Sequence, residues 1–278
     1  MNVVHAFFRR YGITIERSTV TIAVATISCV LLAEGTITVA DHFQAGVADE
    51  QPATDVAQSS PTNIDFSKIQ AVPLFDGKTL EGWEGDAEIF RVEEGAVVGR
   101  MLETTTANIS FLCTLREYEN FELRLKVKMV GEDTNGGIQF RSRRVPDSDE
   151  VSGYQADAGH VFWGCLYDEA RRGLVLASPD PEVMRKALRE ADLDIEVANE
   201  TATPDAAEFR RTLKEYDWND YVIQCVGNRV QLWVNGNLTS DYVETDDSIA
   251  TSGVIGLQVH DGPPSEVWYK DITIKVVE

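Results

Sequence analysis

Two neighbouring stretches decide the fold: FELRLKVKM (121–129) and GIQFRSR (137–143) both alternate apolar with polar residues. Successive side chains of a β-strand point to opposite faces of the sheet, so this period of two indicates strands with one buried and one wet face. Similar sorting returns at QLWVN (231–235) and at QVH (258–260). A solvent face that gathers Arg, Gln, Asp, Trp and His favours the binding of sugar hydroxyls.

Further strand-like segments follow one another, with turn residues between them. The set is FRVEEGAVVG (90–99), ISFLCT (109–114), FELRLKVKMV (121–130), GGIQFRSR (136–143), GYQADAG (153–159), YVIQCVG (221–227), RVQLWVNG (229–236), GVIGLQVH (253–260) and WYKDITIKVVE (268–278). Gly227 and Asn228 form the turn of a tight hairpin. Many short alternating strands predict an all-β fold, an antiparallel sandwich or barrel. The side chains expected in its core are Leu123, Leu125, Val127, Phe140, Ile223, Leu232, Leu257 and Ile274.

Residues 179–217 break the strand pattern. PEVMRKALREADL (181–193) and PDAAEFRRTLKEY (204–216) each open with proline and then place apolar residues at helical spacing. They predict an insertion of two short helices. The insertion either walls a ligand groove or decorates the surface.

The formal net charge of the 278 residues is −21, which argues against a nucleic-acid partner because phosphate binding needs a basic surface. Of the four cysteines, Cys113, Cys165 and Cys225 lie beyond the N-terminal region. An odd number cannot be fully paired within one chain. We therefore expect three small buried hydrophobic residues rather than a disulfide framework.

The N-terminal region differs from the rest of the chain. Three arginines precede an apolar run at residues 20–33, as in a secretory signal, so residues 1–40 predict a signal peptide or a membrane anchor. The run is shorter than a comfortable membrane span, which favours cleavage. We expect a periplasmic or extracellular location, with membrane association only through this segment. Residues 41–71 predict a disordered linker, and residues 72–278 the folded domain.

The order of several segments resembles the 3-keto-disaccharide hydrolase domain family over about residues 72–277. These segments are LFDGKTLEGW (74–83), FRVEEGAVVG, FELRLKVKM, NGGIQFRSR (135–143), GYQADAG, WNDYVIQCVGNRVQLWVNG (218–236) and GVIGLQVHDGPPSEVWYKDITIK (253–275). The resemblance implies a concanavalin A-like jelly-roll, related to laminin-G-like sandwiches, with a ligand groove on the concave face. It also implies cleavage of glycosides oxidised to a ketone at sugar C3. WGCLYDEARRGLVL (163–176) and the helical insertion depart from the commoner family pattern, which leaves the exact substrate open.

This chemistry needs a base near C2, a donor for the enolate oxygen and an acid for the leaving group. His260 is the first candidate base, and His160 competes with it. Asp157 could orient the base, act as the acid or bind a metal. Arg141 is the candidate that polarises the ketone, since its cationic fork suits oxygen anions. The charged segment 168–172 either enters the groove or forms a solvated loop.

Gln155 and Gln258 share strand parity with Asp157 and His260, whereas Trp163 and Trp233 could either stack on a sugar ring or lie in the core. The expected substrate-binding residues are Glu122, Gln139, Gln155, Trp163, Trp233 and Gln258. Glu122 could instead pair with Arg141 on the neighbouring strand. A divalent metal held by His260, Asp157 and Glu122 would also stabilise an enolate, although no ligand spacing supports it.

Three functions remain open from the residues. The first is a secreted enzyme that acts on 3-keto-glycosides, a small carbohydrate substrate. The second is a carbohydrate-binding module without catalysis, since one fold hosts many functions. The third is an ordinary glycanase, which needs two carboxylates about 5–10 Å apart.

Overall fold

The computed structural model describes residues 64–102, 109–132, 134–146, 148, 150–198, 205–260 and 262–277. The predicted signal or anchor (1–40) and residues 41–63 of the predicted linker lie outside the described residues. Within the described ranges, no helix combines the length and the apolar character needed to cross a membrane. Packed structure begins before Val72, because a 3-10 turn at Phe66–Lys68 buries the ring of Phe66.

The described strands form two antiparallel sheets. The first sheet runs, in spatial order, β13 (Asn237–Val243), β12 (Arg229–Val234), β11 (Asn219–Val226), β6 (Asn120–Val130), β15 (Ser265–Val277), β4 (Ala96–Met101) and β3 (Phe90–Glu93), with β1 (Val72–Pro73) also paired to β15. The second sheet runs β10 (Val175–Ala177), β9 (Leu166–Glu169), β8 (Val151–Ala158), β7 (Gly136–Arg144), β14 (Val254–His260), β5 (Ile109–Thr114) and β2 (Trp83–Glu84).

The main core lies between the two sheets. Leu123 and Leu125 of β6 share one hydrophobic cluster with Ile138 of β7 and Leu257 of β14. All eight side chains that the sequence predicted to be internal are buried, at 3% exposure or less. Each such side chain contributes roughly 1.5–3 kcal/mol to stability. The predicted two-sheet sandwich is confirmed.

Some strands differ from the sequence prediction. The stretch FRVEEGAVVG is a hairpin rather than one strand, because β3 and β4 pair across a turn at Glu94 and Gly95. Both turn residues have positive φ, 50° and 75°, as hairpin turns of this kind require. The short strands β1, β2, β9, β10 and β13 were not predicted, because they have few residues or no clear alternation.

The helical insertion is confirmed and it walls the second sheet. Helix α1 spans Pro181–Glu190 and helix α2 spans Ala206–Thr212. Asp180 and Asp205 cap the two helices by accepting hydrogen bonds from backbone amides of the first turn. Met184 and Leu188 of α1 pack on Tyr167 and Val175, away from the main core.

The chain after α1 extends the second sheet at its edge. The backbone of Val175 in β10 accepts from the amide of Ala198 and donates to the carbonyl of Glu196, both at 2.9 Å. Side chains at 193, 195 and 197 are partly buried and alternate with exposed acidic residues. This segment, residues 193–198, is called the cover segment below.

The cysteines behave as the sequence predicted. Cys113, Cys165 and Cys225 are free and fully buried. Burial raises the pKa of the Cys113 and Cys225 thiols to about 11, so both stay protonated and unreactive.

Candidate active site on the outer face of the second sheet

Polar side chains collect on the face of the second sheet that points away from the core. In β8, Tyr154 and Ala156 face the core, so Gln155 and Asp157 face the other way. In β14, Leu257 and Val259 face the core, which places Gln258 and His260 on that same outer face. Alternation therefore brings together four of the residues selected from the sequence, as predicted.

Glycine separates two of these residues. Gly137 of β7 pairs with Asp157 on one side and with Gln258 on the other. A Cβ atom at Gly137 would lie 2.8 Å from Cγ of Gln155, so the Gln155 side chain occupies the space above the glycine. The absence of a side chain at 137 thus lets the amides and the carboxylate approach one another across three strands.

A chain of hydrogen bonds orders the amides of this face. The Ser142 hydroxyl donates to Oε1 of Gln139 at 2.7 Å, and Nε2 of Gln139 donates to Oε1 of Gln155 at 2.7 Å. Nε2 of Gln155 then donates to Oδ1 of Asp157 at 2.5 Å. The four side chains are buried, so this chain of hydrogen bonds holds the Asp157 carboxyl in a fixed orientation.

Gln258 takes no part in this series of hydrogen bonds. Its side chain is 0% exposed, and neither Oε1 nor Nε2 has a hydrogen-bond partner among the described residues. Oδ1 of Asn135, whose carbonyl accepts from the backbone amide of His260, is likewise unpartnered within that part of the chain. A buried polar group without a partner costs about 1–3 kcal/mol, so these atoms indicate groups that a polar ligand would satisfy.

A small cavity of about 20 Å³ lies over this face. The residues lining it are Asn135, Gln155, Asp157, Phe162, Tyr167, Glu169, Ile195 and His260. Asp157, Glu169 and His260 are each 7% exposed or less. Phe162, from the turn after β8, and Ile195, from the cover segment, both line the cavity, so the insertion forms one wall of the site.

The backbone of Asp157 anchors the turn that follows β8. Its amide donates to the carbonyl of Cys165 at 3.0 Å, and its carbonyl accepts from the amide of Gly164 and from the hydroxyl of Tyr221 at 2.7 Å. Burial raises the pKa of Tyr221 well above its ordinary value, so its hydroxyl remains a donor. The main-chain position of Asp157 is therefore fixed from both sheets.

Arg141 does not reach this site, and its predicted place there is wrong. Its backbone has a φ of 49°, within an irregularity of the β7–β8 pairing. The guanidinium donates twice to the carbonyl of Glu119 and once to that of Gly227, at 2.7–2.9 Å. Arg141 instead ties β7 to the β11–β12 hairpin.

Glu122 and Trp233 belong to the first sheet, so the prediction that they share a surface with His260 is wrong. Glu122 faces away from the core and binds Arg124, Gln224 and Lys275. Burial alone would raise the pKa of the Glu122 carboxyl, but these donors lower it. Trp233 lies in β12, between the core residues Leu232 and Val234, and so faces outward from the first sheet.

Trp163 and His160 lie beside the site rather than in it. The 3-10 turn His160–Phe162 presents Phe162 to the cavity, whereas His160 and Trp163 line a separate open cleft. The ring of Trp163 lies 6.1 Å from that of Tyr221.

The charged segment 168–172 divides between two roles. Asp168 is fully buried and binds both Arg171 and Arg172, and Arg172 also binds Glu244. Glu169 lies two residues after Tyr167 in β9, so both side chains point to the outer face, and both line the cavity. The segment is thus neither a solvated loop nor wholly in the site.

The ligand set suggested for a divalent metal does not form, because Glu122 lies on the other sheet. Across the ranges that the structure describes, no three His, Cys, Asp or Glu side chains cluster as metal ligands do. A metal requirement therefore stays a prediction, which a chelator tests.

Sequence reasoning missed Asn135, Tyr167 and Ile195, and did not separate Glu169 from its charged neighbours. Parity along β9 would have indicated Tyr167 and Glu169 once that short strand was recognised. The alternation of apolar and acidic residues at 193–197 was the available signal for Ile195.

The fold is a two-sheet β-sandwich, and the family match makes it a carbohydrate-related one. Residues 70–275 match the model of the 3-keto-alpha-glucoside-1,2-lyase-like domain, and the chain belongs to that family. A comparison with curated proteins found no match.

Solved structures support the jelly-roll fold. One proposed glycosyl hydrolase from Parabacteroides distasonis ATCC 8503 is 18% identical, with a TM-score of 0.53 over 75% of this chain and 94% of that chain. Another from the same organism is 19% identical, with a TM-score of 0.50 over 75% and 100%. A Bacillus subtilis protein of unknown function with a galectin-like fold is 9% identical, with a TM-score of 0.50 over 74% and 94%. At these identities the likeness establishes the fold alone.

Proposed function

We propose that the protein cleaves 3-keto-glycosides in the cavity beneath the cover segment, by elimination followed by hydration. The observation that carries the proposal is the convergence of His260, Asp157 and Glu169 beside the unpartnered amide of Gln258 on one buried face. A C3 ketone acidifies the C2 proton, so one base and a few oriented donors suffice for the reaction.

His260 is the base. Histidine exchanges protons near neutral pH, and this one lies at the end of β14 on the same face as Asp157. It takes the C2 proton, and the electron pair of the broken C–H bond moves into an enolate on the C3 oxygen. The Asp157 carboxyl, oriented by Gln155, lines the same cavity and would stabilise the imidazolium that forms.

Gln258 takes the place first assigned to Arg141; it does not line the cavity in this structure, but it lies across Gly137 from Asp157 on the same face. Its Nε2 has two N–H groups and no protein acceptor among the described residues, so it can donate to the enolate oxygen. A donor already in place for the developing charge stabilises the transition state rather than the substrate.

Glu169 is the acid. The C1–O bond breaks as the enolate collapses, and the departing oxygen takes a proton from the Glu169 carboxyl. The proton held by His260 exchanges with solvent. Water then adds across the C1–C2 double bond: its oxygen bonds to C1 as one of its protons passes to the Glu169 carboxylate, and His260 delivers a solvent-derived proton to C2. The sum is hydrolysis, and both side chains return to their starting states.

Access requires the cover segment to move. A space of about 20 Å³ holds about one water molecule, not a sugar ring. The backbone of the segment is held to β10 by two hydrogen bonds to Val175. Opening here exposes the cavity without disturbing the two-sheet core.

The activity test compares a 3-keto-glucoside with the same glycoside lacking the ketone, in both anomeric forms and with and without a chelator. The proposal predicts cleavage of the keto compound alone. His260→Gln should lower kcat/KM by about 10²–10⁴. His160→Gln, outside the cavity, is the matched control and should retain activity. Equal activity of His260→Gln and the natural protein would refute the assignment of the base.

One observation favours a second candidate, the ordinary glycanase, because Asp157 and Glu169 supply two carboxyls to one cavity. Rapid cleavage of the unoxidised glycoside would support this alternative. Sugar binding without cleavage of either compound would support a binding module instead. We further propose export of the chain, on the basis of the arginines and apolar run of its N-terminal region.

A further inference from the structure

A much larger cleft lies next to the small cavity, on the other side of the turn after β8. It has a volume of about 530 Å³, within the range of about 300–1,000 Å³ that small-molecule sites occupy. Met129 near the end of β6, the turn at His160–Phe162 and the chain that follows helix α2 form its walls. Nothing in the proposed cleavage uses this space.

Two aromatic side chains line the cleft. Tyr216 is 55% exposed and is the one aromatic side chain in the described part of the chain that is mainly in solvent. Its backbone has a φ of 55°, a conformation that costs free energy for a residue with a side chain. Trp163, partly buried, lines the same cleft. Aromatic rings combine a large apolar surface with a polar edge, which suits the C–H faces of a sugar ring.

The charges of the cleft suit a neutral, hydroxyl-rich ligand. Arg210 is already paired with Asp180, and Nζ of Lys214 donates to the carbonyl of Trp218 at 3.2 Å. Glu132 and Glu215 are exposed and make no ion pair or side-chain hydrogen bond with any described residue. Their carboxylates remain available as acceptors for hydroxyl groups, while an anionic ligand would meet both of them.

We propose that this cleft binds an unoxidised saccharide that is not itself cleaved. This site is separate from the cavity of the cleavage reaction. Phe162 lines that cavity, whereas His160 and Trp163, on either side of the same turn, line the cleft. A ring bound here would lie against Tyr216 and Trp163, with its hydroxyls directed to Glu132 and Glu215.

The test is isothermal titration calorimetry with maltose, cellobiose, trehalose and sucrose as probes. At least one probe should bind saturably to the natural protein and equally to His260→Gln, which separates this site from cleavage. Tyr216→Ala should weaken that binding at least about tenfold. Val243→Ala, which removes another exposed apolar side chain in β13, is the control and should leave binding unchanged.

Glu215→Gln serves as a second variant, because an exposed carboxyl on a loop can be changed without loss of the fold. It should also weaken binding, since an amide oxygen accepts hydroxyl hydrogen bonds less strongly than a carboxylate. The proposal is overturned if none of the four probes binds, or if binding is the same in Tyr216→Ala and Glu215→Gln as in the natural protein.

Discussion

Gln258 and Asp157 face each other across Gly137, one from each strand that flanks β7. Asp157 is satisfied by Gln155, whereas the amide of Gln258 has no protein partner among the described residues. One member of the pair is therefore oriented by a hydrogen bond within the protein, whereas the other is available to a ligand. This arrangement lowers the stability of the unliganded protein in return for binding.

The first prediction follows from that arrangement. Gln258→Met keeps the side-chain length and removes the unpartnered amide, so the free energy of unfolding should rise by about 1–3 kcal/mol. The same change should lower kcat/KM on a 3-keto-glycoside. Denaturant unfolding and initial rates measure the two effects.

Gln139→Met is the matched control for that variant. Gln139 is equally buried, but its amide is bonded to Ser142 and to Gln155, so the substitution should destabilise the protein. Destabilisation by Gln258→Met of the same size as by Gln139→Met would show that the Gln258 amide is satisfied without a ligand.

Arg141 gives the second prediction. Arg141→Met removes three charge-assisted hydrogen bonds to the carbonyls of Glu119 and Gly227, and stability should fall by about 3 kcal/mol. Arg143→Met, at an exposed position two residues away, should be within about 0.5 kcal/mol of the natural protein. At temperatures where Arg141→Met is folded, its kcat should stay within about threefold of the natural value. A loss of kcat as large as that in His260→Gln would show that Arg141 takes a direct part in the reaction after all.

The third prediction concerns access. Ile195→Ala removes apolar contact between the cover segment and the cavity, and a lid weakened by about 1 kcal/mol raises the open fraction about fivefold. Only the open form binds substrate, so a larger open fraction should lower KM by a similar factor. Val183→Ala, on the exposed side of α1, is the control and should leave KM unchanged. An unchanged KM in Ile195→Ala, measured together with the expected small loss of stability, contradicts the lid.

Strand parity predicted the shared face of Gln155, Asp157, Gln258 and His260, because alternation is fixed by backbone geometry. Parity cannot tell which of two sheets a strand joins, and Glu122 was misplaced for that reason. Arg141 failed because the pairing of β7 shifts between Phe140 and Arg143, and a shift of one residue reverses the faces. The part played by Ile195 depends on long-range contacts of the insertion, which local patterns do not encode.

Glu244 gives a fourth prediction, on stability and pH. Burial would raise the pKa of this carboxyl, but hydrogen bonds from Arg172 and Tyr154 outweigh burial and lower it from 4.5 to about 2. A pKa lowered on folding contributes stability that is complete above the unfolded value and is lost as pH falls from about 4.5 towards about 2. The stability difference between the natural protein and Glu244→Gln should therefore shrink from about pH 7 to about pH 3. A difference that is constant over this range contradicts the ion pair's role.

The most direct test of the central claim is the deuterium content at C2 of the keto-sugar released in D₂O. Elimination and hydration remove the C2 hydrogen and return one from solvent, so the first product should carry deuterium at C2. Its level should exceed that of substrate and product incubated with His260→Gln, which corrects for spontaneous exchange. Direct displacement at C1 leaves the C2 hydrogen in place. Product that retains this hydrogen throughout early turnover would contradict the proposed mechanism.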